Sequence, residues 1–100
     1  MPTSWQELKG RRVDAMTEAE RAEYDHAYAA AKLAAEVGER VRQEREAAGI
    51  SQRELARRMG TSQSAVDRLE AGGVGATLTT LQRVATALGL VVSVDLRRSA

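Results

Sequence analysis

The sequence contains no cysteine and a single histidine among its 100 residues. Without cysteine the chain has neither disulfide bonds nor thiolate metal sites, which suits a reducing cytoplasm. No acidic cluster stands at metal-ligand spacing, so His26 is expected to be a surface residue of an alanine-rich helix. We therefore expect no catalytic site, no metal and no cofactor.

Long apolar runs are also missing. The longest fall far short of the ~20 residues required to span a bilayer. The first residues, MPTS, lack the charged start and apolar core of a signal peptide. These absences predict a soluble, cytoplasmic chain with no membrane contact.

Length and charge divide the chain. One hundred residues fit one small domain with an extension, and a domain of this size buries only about 60% of its unfolded surface, so a dimer would help stability. Residues 1–37 carry five basic and seven acidic side chains, whereas residues 38–100 carry ten arginines and seven acids. The weak net charge of +1 argues against a protein that coats nucleic acid by electrostatics alone, but a local basic surface is possible.

Residues 1–37 are predicted to form an N-terminal helical extension. Capping boxes at Ser4 and Thr17 predict a very short helix and then a long alanine-rich helix that ends toward Gly38, and a third capping box at Ser51 predicts the start of a later helix. Alanine favours helix but buries little area, so this helix is either a solvated spacer or a surface that binds a partner protein. The candidate partner-binding residues are Trp5, Leu8, Tyr24 and Tyr28.

Residues 38–90 show the pattern of four short helices, each ended by glycine. Their predicted inward residues are Val41 and Ala48 in the first, Leu55, Ala56 and Met59 in the second, Val66 and Leu69 in the third, and Leu78, Leu81, Val84, Ala85 and Leu88 in the fourth. In the middle pair, the small Ala56 allows a close crossing and Gly60 opens a three-residue turn. This arrangement predicts a helix-turn-helix, in which the second helix enters the major groove of DNA.

The stretch SQRELARRMGTSQSAVDRLEAG resembles the helix-turn-helix of the Xre and Cro/cI family of phage-repressor-like proteins. The resemblance implies a mainly α, lambda-repressor-like domain of four to five helices. It also implies that Gln52 binds a phosphate and steadies Gln63, that Gln63, Ser64 and Arg68 face bases, and that Arg45 and Glu70 form a structural ion pair. The loop AGGVGAT departs from the family, because it lacks the usual basic residues and proline.

The side-chain chemistry of the predicted recognition helix supports DNA binding independently. A glutamine amide can bind adenine and an arginine can bind guanine through paired hydrogen bonds. Thr61 and Ser62 suit phosphate contacts, and Asp67 would be held away from the backbone or would exclude wrong bases. Arg53, Arg57 and Arg58 are candidate phosphate ligands. The alternative is an ordinary solvated face with solubilising arginines.

The C-terminal stretch LVVSVDLR alternates between apolar and polar residues and predicts a strand, with Leu90, Val92, Val94 and Leu96 on one face. A single strand has no internal partner, so residues 91–100 are expected to pair with their copy across a two-fold axis. Such a homodimer would present two recognition helices to a palindromic operator in double-stranded DNA.

Three functions are compatible with this layout. The first, which we take as the expected function, is an antitoxin: the whole chain resembles HigA-like antitoxins, which implies that the N-terminal extension neutralises a RelE/HigB-type ribonuclease toxin and that the dimer represses its own operon. The alternative is an Xre-family transcriptional repressor without a toxin partner. The third is a protein-interaction module that has the fold but does not bind DNA.

Overall fold

The computed structural model of the chain describes residues 15–73 and 76–99. Within them lie four helices: α1 (Glu18–Ala47), α2 (Gln52–Met59), α3 (Gln63–Glu70) and α4 (Leu78–Leu88). The described part is therefore mainly helical, as predicted. The short helix expected after Ser4, with Trp5 and Leu8, lies outside the described residues.

The helix starts follow the predicted capping residues. The Thr17 hydroxyl accepts a hydrogen bond from the Glu20 amide at 3.2 Å, and the Ser51 hydroxyl accepts one from the Glu54 amide at 3.0 Å. Each bond satisfies an amide that has no partner within its own helix.

Helix α1 does not end at Gly38, so that prediction is wrong. It runs without a break to Ala47, and Gly38 is buried inside it. A Cβ at Gly38 would lie 2.4 Å from the carbonyl oxygen of Leu69, which is far closer than a real contact. This glycine allows α1 to approach the end of α3 and does not stop the helix.

Residues 1–32 and 33–100 form two compact units. In the first unit, the described residues are helical from Glu18 onward. Most of them, including Lys32, are exposed. The sequence places the boundary after residue 37, whereas the structure divides the chain after residue 32.

The core of the second unit joins all four helices. Its buried residues are Val41, Leu55, Ala56, Val66, Leu69 and Val84. Leu55 is fully buried, and burial of a leucine side chain is worth about 1.5–3 kcal/mol. Helix α2 packs against both α3 and α4, which fixes the position of α3.

Two residues predicted to point inward do not. Ala48 lies just beyond the end of α1 and is exposed, and Leu78 begins α4 with 70% of its surface exposed. Periodicity does not determine the buried face at a helix end, where the chain changes direction. Ile50 packs against the core after α1.

Residues 90–99 form no strand in the single chain. Val91, Val94 and Leu96 are 92%, 66% and 93% exposed. A strand requires a neighbour for its backbone hydrogen bonds, and none of the residues that the structure describes pairs with this segment as a strand.

Candidate nucleic-acid interface

Helix α3 is positioned by a tight turn after α2. Gly60 adopts a left-handed conformation with φ of 71°, and the Thr61 amide donates to the carbonyl of Ala56 at 2.9 Å. The Ser62 hydroxyl accepts from the Ala65 amide at 3.1 Å and caps α3. Ser62, predicted as a phosphate ligand, therefore holds the start of this helix.

Helix α3 has two different faces. Val66 and Leu69 are buried against α2, whereas the opposite face is exposed and polar. That exposed face contains Gln63, Ser64, Asp67 and Arg68. Gln63, Ser64 and Arg68 make no side-chain hydrogen bond or ion pair to any residue that the structure describes, so their polar groups are available to a ligand.

The expected ion pair between Arg45 and Glu70 is present. Arg45 donates to Glu70 twice, from Nε to Oε2 at 2.6 Å and from Nη2 to Oε1 at 2.9 Å. The third nitrogen, Nη1, donates to the carbonyl of Ile50 at 2.9 Å. The two side chains are 12% and 4% exposed, so water screens this bidentate pair weakly.

Two opposing effects act on the Glu70 carboxyl. Burial alone would raise its pKa, but hydrogen bonds from Arg45 and Gln52 and the positive charge of Arg45 lower the pKa below 4.5. The same pair raises the pKa of Arg45. Both groups are therefore charged at neutral pH and tie the end of α3 to α1.

Gln52 was expected to steady Gln63, and in the structure it does not. Its amide nitrogen donates to Glu70 Oε1 at 3.1 Å and lies 3.4 Å from Asp67 Oδ1. Gln52 thus joins α2 to the carboxylates of α3.

The arginines of α2 differ in their partners. Arg57 donates to Glu54 at 2.6 Å and 2.8 Å, and Arg58 donates to the same carboxylate at 3.0 Å. These bonds lower the pKa of Glu54 to about 2. Exposed pairs of this kind contribute little stability. Arg53 is exposed and makes no such pair with the described residues.

Thr80 and Arg83 were not predicted as site residues from the sequence. With Arg68, they line a groove of about 210 Å³ between α3 and α4, together with Met59, Thr61, Ala65 and Leu69. The sequence feature that could have pointed to them is the polar face of α4, because Thr80 and Arg83 are three residues apart and therefore share one side of the helix.

The candidate partner-binding residues are only partly described. Tyr24 and Tyr28 stack with ring centroids 6.5 Å apart, and Tyr28 is 56% exposed. Leu33 is 61% exposed on the same helix. Trp5 and Leu8 lie outside the described residues.

Residues 15–73 and 76–99 contain no group of three or more histidine, cysteine, aspartate or glutamate side chains able to hold a metal ion. None of their helices combines the length and the apolar character required to cross a membrane.

Comparison with known proteins identifies the class. The sequence profile of the helix-turn-helix family matches residues 41–93. The chain belongs to this family, which comprises DNA-binding regulators and not enzymes. The resemblance to the Xre and Cro/cI type is thereby confirmed, whereas the comparisons do not confirm the HigA-like type.

One solved structure is similar. It is the restriction-modification controller protein C.AhdI from Aeromonas hydrophila, with 33% sequence identity and a TM-score of 0.58. The similarity covers 60% of this chain and 87% of the controller protein. No curated protein matches the chain.

Proposed function

We propose that the protein is a dimeric transcriptional repressor that recognises a palindromic operator through α3. The observation that carries this proposal is the exposed polar face of α3, whose opposite face is fixed by Val66, Leu69 and the Arg45–Glu70 pair. A helix held this firmly presents Gln63 and Ser64 in one orientation. Such preorganisation lowers the entropy lost when the side chains bind base edges.

Direct readout is assigned to the first turn of α3. Gln63 can donate to adenine N7 and accept from adenine N6, and the small Ser64 permits close approach to the groove. Arg53 and Arg57 are placed on the exposed side of α2, where phosphate contacts would fix the register of the protein on the duplex.

The dimer is assigned to residues 90–99. Three large apolar residues of this segment are more than half exposed, which is costly in a monomer of this size. The start of this segment lines a groove together with Val37, Val41, Leu81, Val84 and Ala85, and the charged residues of that groove are Arg40 and Glu44. Pairing with a second copy would give the segment the backbone partner that a strand requires, with Val92, Val94 and Leu96 along the contact.

Selection from random duplex DNA tests the proposal. The full chain is incubated with a randomised pool, and the bound fraction is sequenced after several rounds. We expect an inverted repeat whose half-sites are about 34 Å apart, one helical turn. Enrichment of a single half-site would contradict the dimer, and absence of any sequence preference would contradict base readout.

A more specific function than repression is that of an antitoxin. The antitoxin hypothesis rests on residues 1–37, and neither the family match, which begins at residue 41, nor the similar structure supports toxin neutralisation. We therefore prefer a repressor without a toxin partner. Co-purification of a small basic toxin with the full chain, but not with residues 38–100, would reverse that preference.

The similarity to a controller protein suggests one class of target genes. At 33% identity over most of the controller protein, control of restriction-modification genes is a specific candidate for this chain. It predicts that the selected sequence occurs upstream of such genes. Occurrence only upstream of unrelated genes would exclude it.

A further inference from the structure

The groove between α3 and α4 contains two arginines and no carboxylate. Arg68 comes from α3 and Arg83 from α4, and the other polar lining residues are Thr61 and Thr80. The remaining lining residues, Met59, Ala65 and Leu69, are apolar. Two like charges therefore converge on one concave surface without an internal counter-ion.

Most other arginines of this unit are neutralised within the chain. Arg40 pairs with Glu44, Arg42 with Glu39, Arg45 with Glu70, and Arg57 and Arg58 with Glu54. Within residues 41–93, as far as the structure describes them, only Arg53, Arg68 and Arg83 lack a carboxylate partner. Two of these three line the same groove, so the positive charge of that groove has no counter-ion among the described residues.

The hydroxyl groups of the groove add hydrogen-bond donors. Thr80 Oγ1 accepts from Thr77 Oγ1 at 2.9 Å, so the Thr80 hydroxyl can donate its own hydrogen outward. Thr61 is exposed at the start of α3. Ala65, one turn before Leu69 on the groove side of α3, is small and leaves room for a group the size of a phosphate.

We propose that Arg68 and Arg83 together bind one phosphate of the DNA backbone, assisted by Thr61 and Thr80. This proposal rests on the proposed function, because the groove adjoins the helix that enters the major groove. Guanidinium groups suit phosphate oxygens because they donate paired hydrogen bonds. The proposal assigns Arg68 to the backbone, in place of the base contact predicted from the sequence.

The salt dependence of DNA binding tests the proposal. Affinities of Arg83→Ala, Arg68→Ala and the wild type are measured by fluorescence anisotropy on the selected operator and on a scrambled duplex, at several salt concentrations. Each alanine variant should weaken binding to both duplexes by a similar factor, on the order of tenfold at ~0.1 M salt. The slope of log affinity against log salt should fall by about 0.9 for one lost phosphate contact. Arg83→Lys should retain most of the slope.

Arg21→Ala is the matched control, since it removes one exposed arginine from the N-terminal part of α1. It should leave affinity and slope unchanged. An unchanged slope in Arg83→Ala would overturn the proposal, as would a loss at Arg68→Ala confined to a single base pair of the operator. Gln63→Ala in the same assay separates the two claims: if it relaxes sequence preference while Arg83→Ala has no effect, only the phosphate site fails.

Inorganic phosphate distinguishes a duplex phosphate from a free anion. If the groove serves DNA, millimolar phosphate should change the melting temperature of the wild type and of Arg83→Ala equally. A rise in the wild type alone would assign the groove to a small anion and would contradict the proposal.

Discussion

Glu70 accepts hydrogen bonds from two elements, from α1 through Arg45 and from α2 through Gln52. Its carboxylate is thus the point at which three segments of the domain meet at the end of α3. Removal of one member of such a buried pair leaves the other charge without compensation.

Replacing Glu70 with alanine should therefore lower the free energy of unfolding by about 3–5 kcal/mol. The free energy is measured by urea unfolding followed by circular dichroism. Glu46→Ala is the control, since Glu46 is 58% exposed and lies 4.0 Å from Arg45. The control should lose less than about 1 kcal/mol. Equal losses of unfolding free energy in the two variants would show that the buried pair stabilises the domain no more than an exposed pair does.

The lowered pKa of Glu70 makes part of the stability depend on pH. The unfolded state has the ordinary pKa of 4.5, whereas the folded state has a lower pKa because of Arg45 and Gln52. The contribution is therefore fully present above the unfolded pKa and is lost as the pH falls through the folded pKa.

The free energy difference between the wild type and Glu70→Gln should be constant from pH 7 to about pH 5.5 and should shrink below pH 4.5. Urea unfolding at a series of pH values measures it. A difference that grows on acidification would mean that the folded-state pKa is raised.

At the scale of elements, local rules predicted the three short helices and the turn. Ser51 and Thr17 were recognisable caps, and Gly60 was a recognisable turn residue, because their effects depend on neighbours within four residues. Val66 and Leu69 were identified as the anchoring face of α3 for the same reason.

The errors at this scale concern contacts that are distant in sequence. Gly38 has the same local signature as a helix stop, and only its position against Leu69 reveals a packing role. The groove of Arg68 and Arg83 likewise depends on how α4 lies beside α3. The partner of residues 90–99 is not encoded by local pattern either, since alternation predicts a strand but not its neighbour.

Gly38→Ala tests the packing role of this glycine, because the two possible effects change the stability of the protein in opposite directions. Helix propensity alone predicts that alanine stabilises a helix interior by about 1 kcal/mol relative to glycine. A Cβ 2.4 Å from a backbone oxygen predicts the opposite, a loss of roughly 1–3 kcal/mol from overpacking. Thermal unfolding decides between them, and a raised melting temperature would contradict the close helix crossing.

At the scale of the whole molecule, the assignment of residues 90–99 to a dimer contact predicts that the dimer can be dissociated without unfolding the helices. Val94 is 66% exposed in the single chain, so Val94→Asp should leave helix content unchanged while it dissociates the dimer. Light scattering measures the mass, and circular dichroism measures the helix content. Leu78→Asp introduces the same charge at another exposed apolar residue and should remain dimeric. Dimers in both variants would exclude this contact.

Base readout by α3 is the central claim, and the binding of Gln63→Ala to the selected operator tests it most directly. Anisotropy titrations of the wild type and the variant are compared across all single base-pair changes of one half-site. We predict that the variant loses discrimination at one position, where the wild type discriminates by about 1–3 kcal/mol, and keeps its affinity for scrambled DNA. Unchanged discrimination at every position would contradict the account.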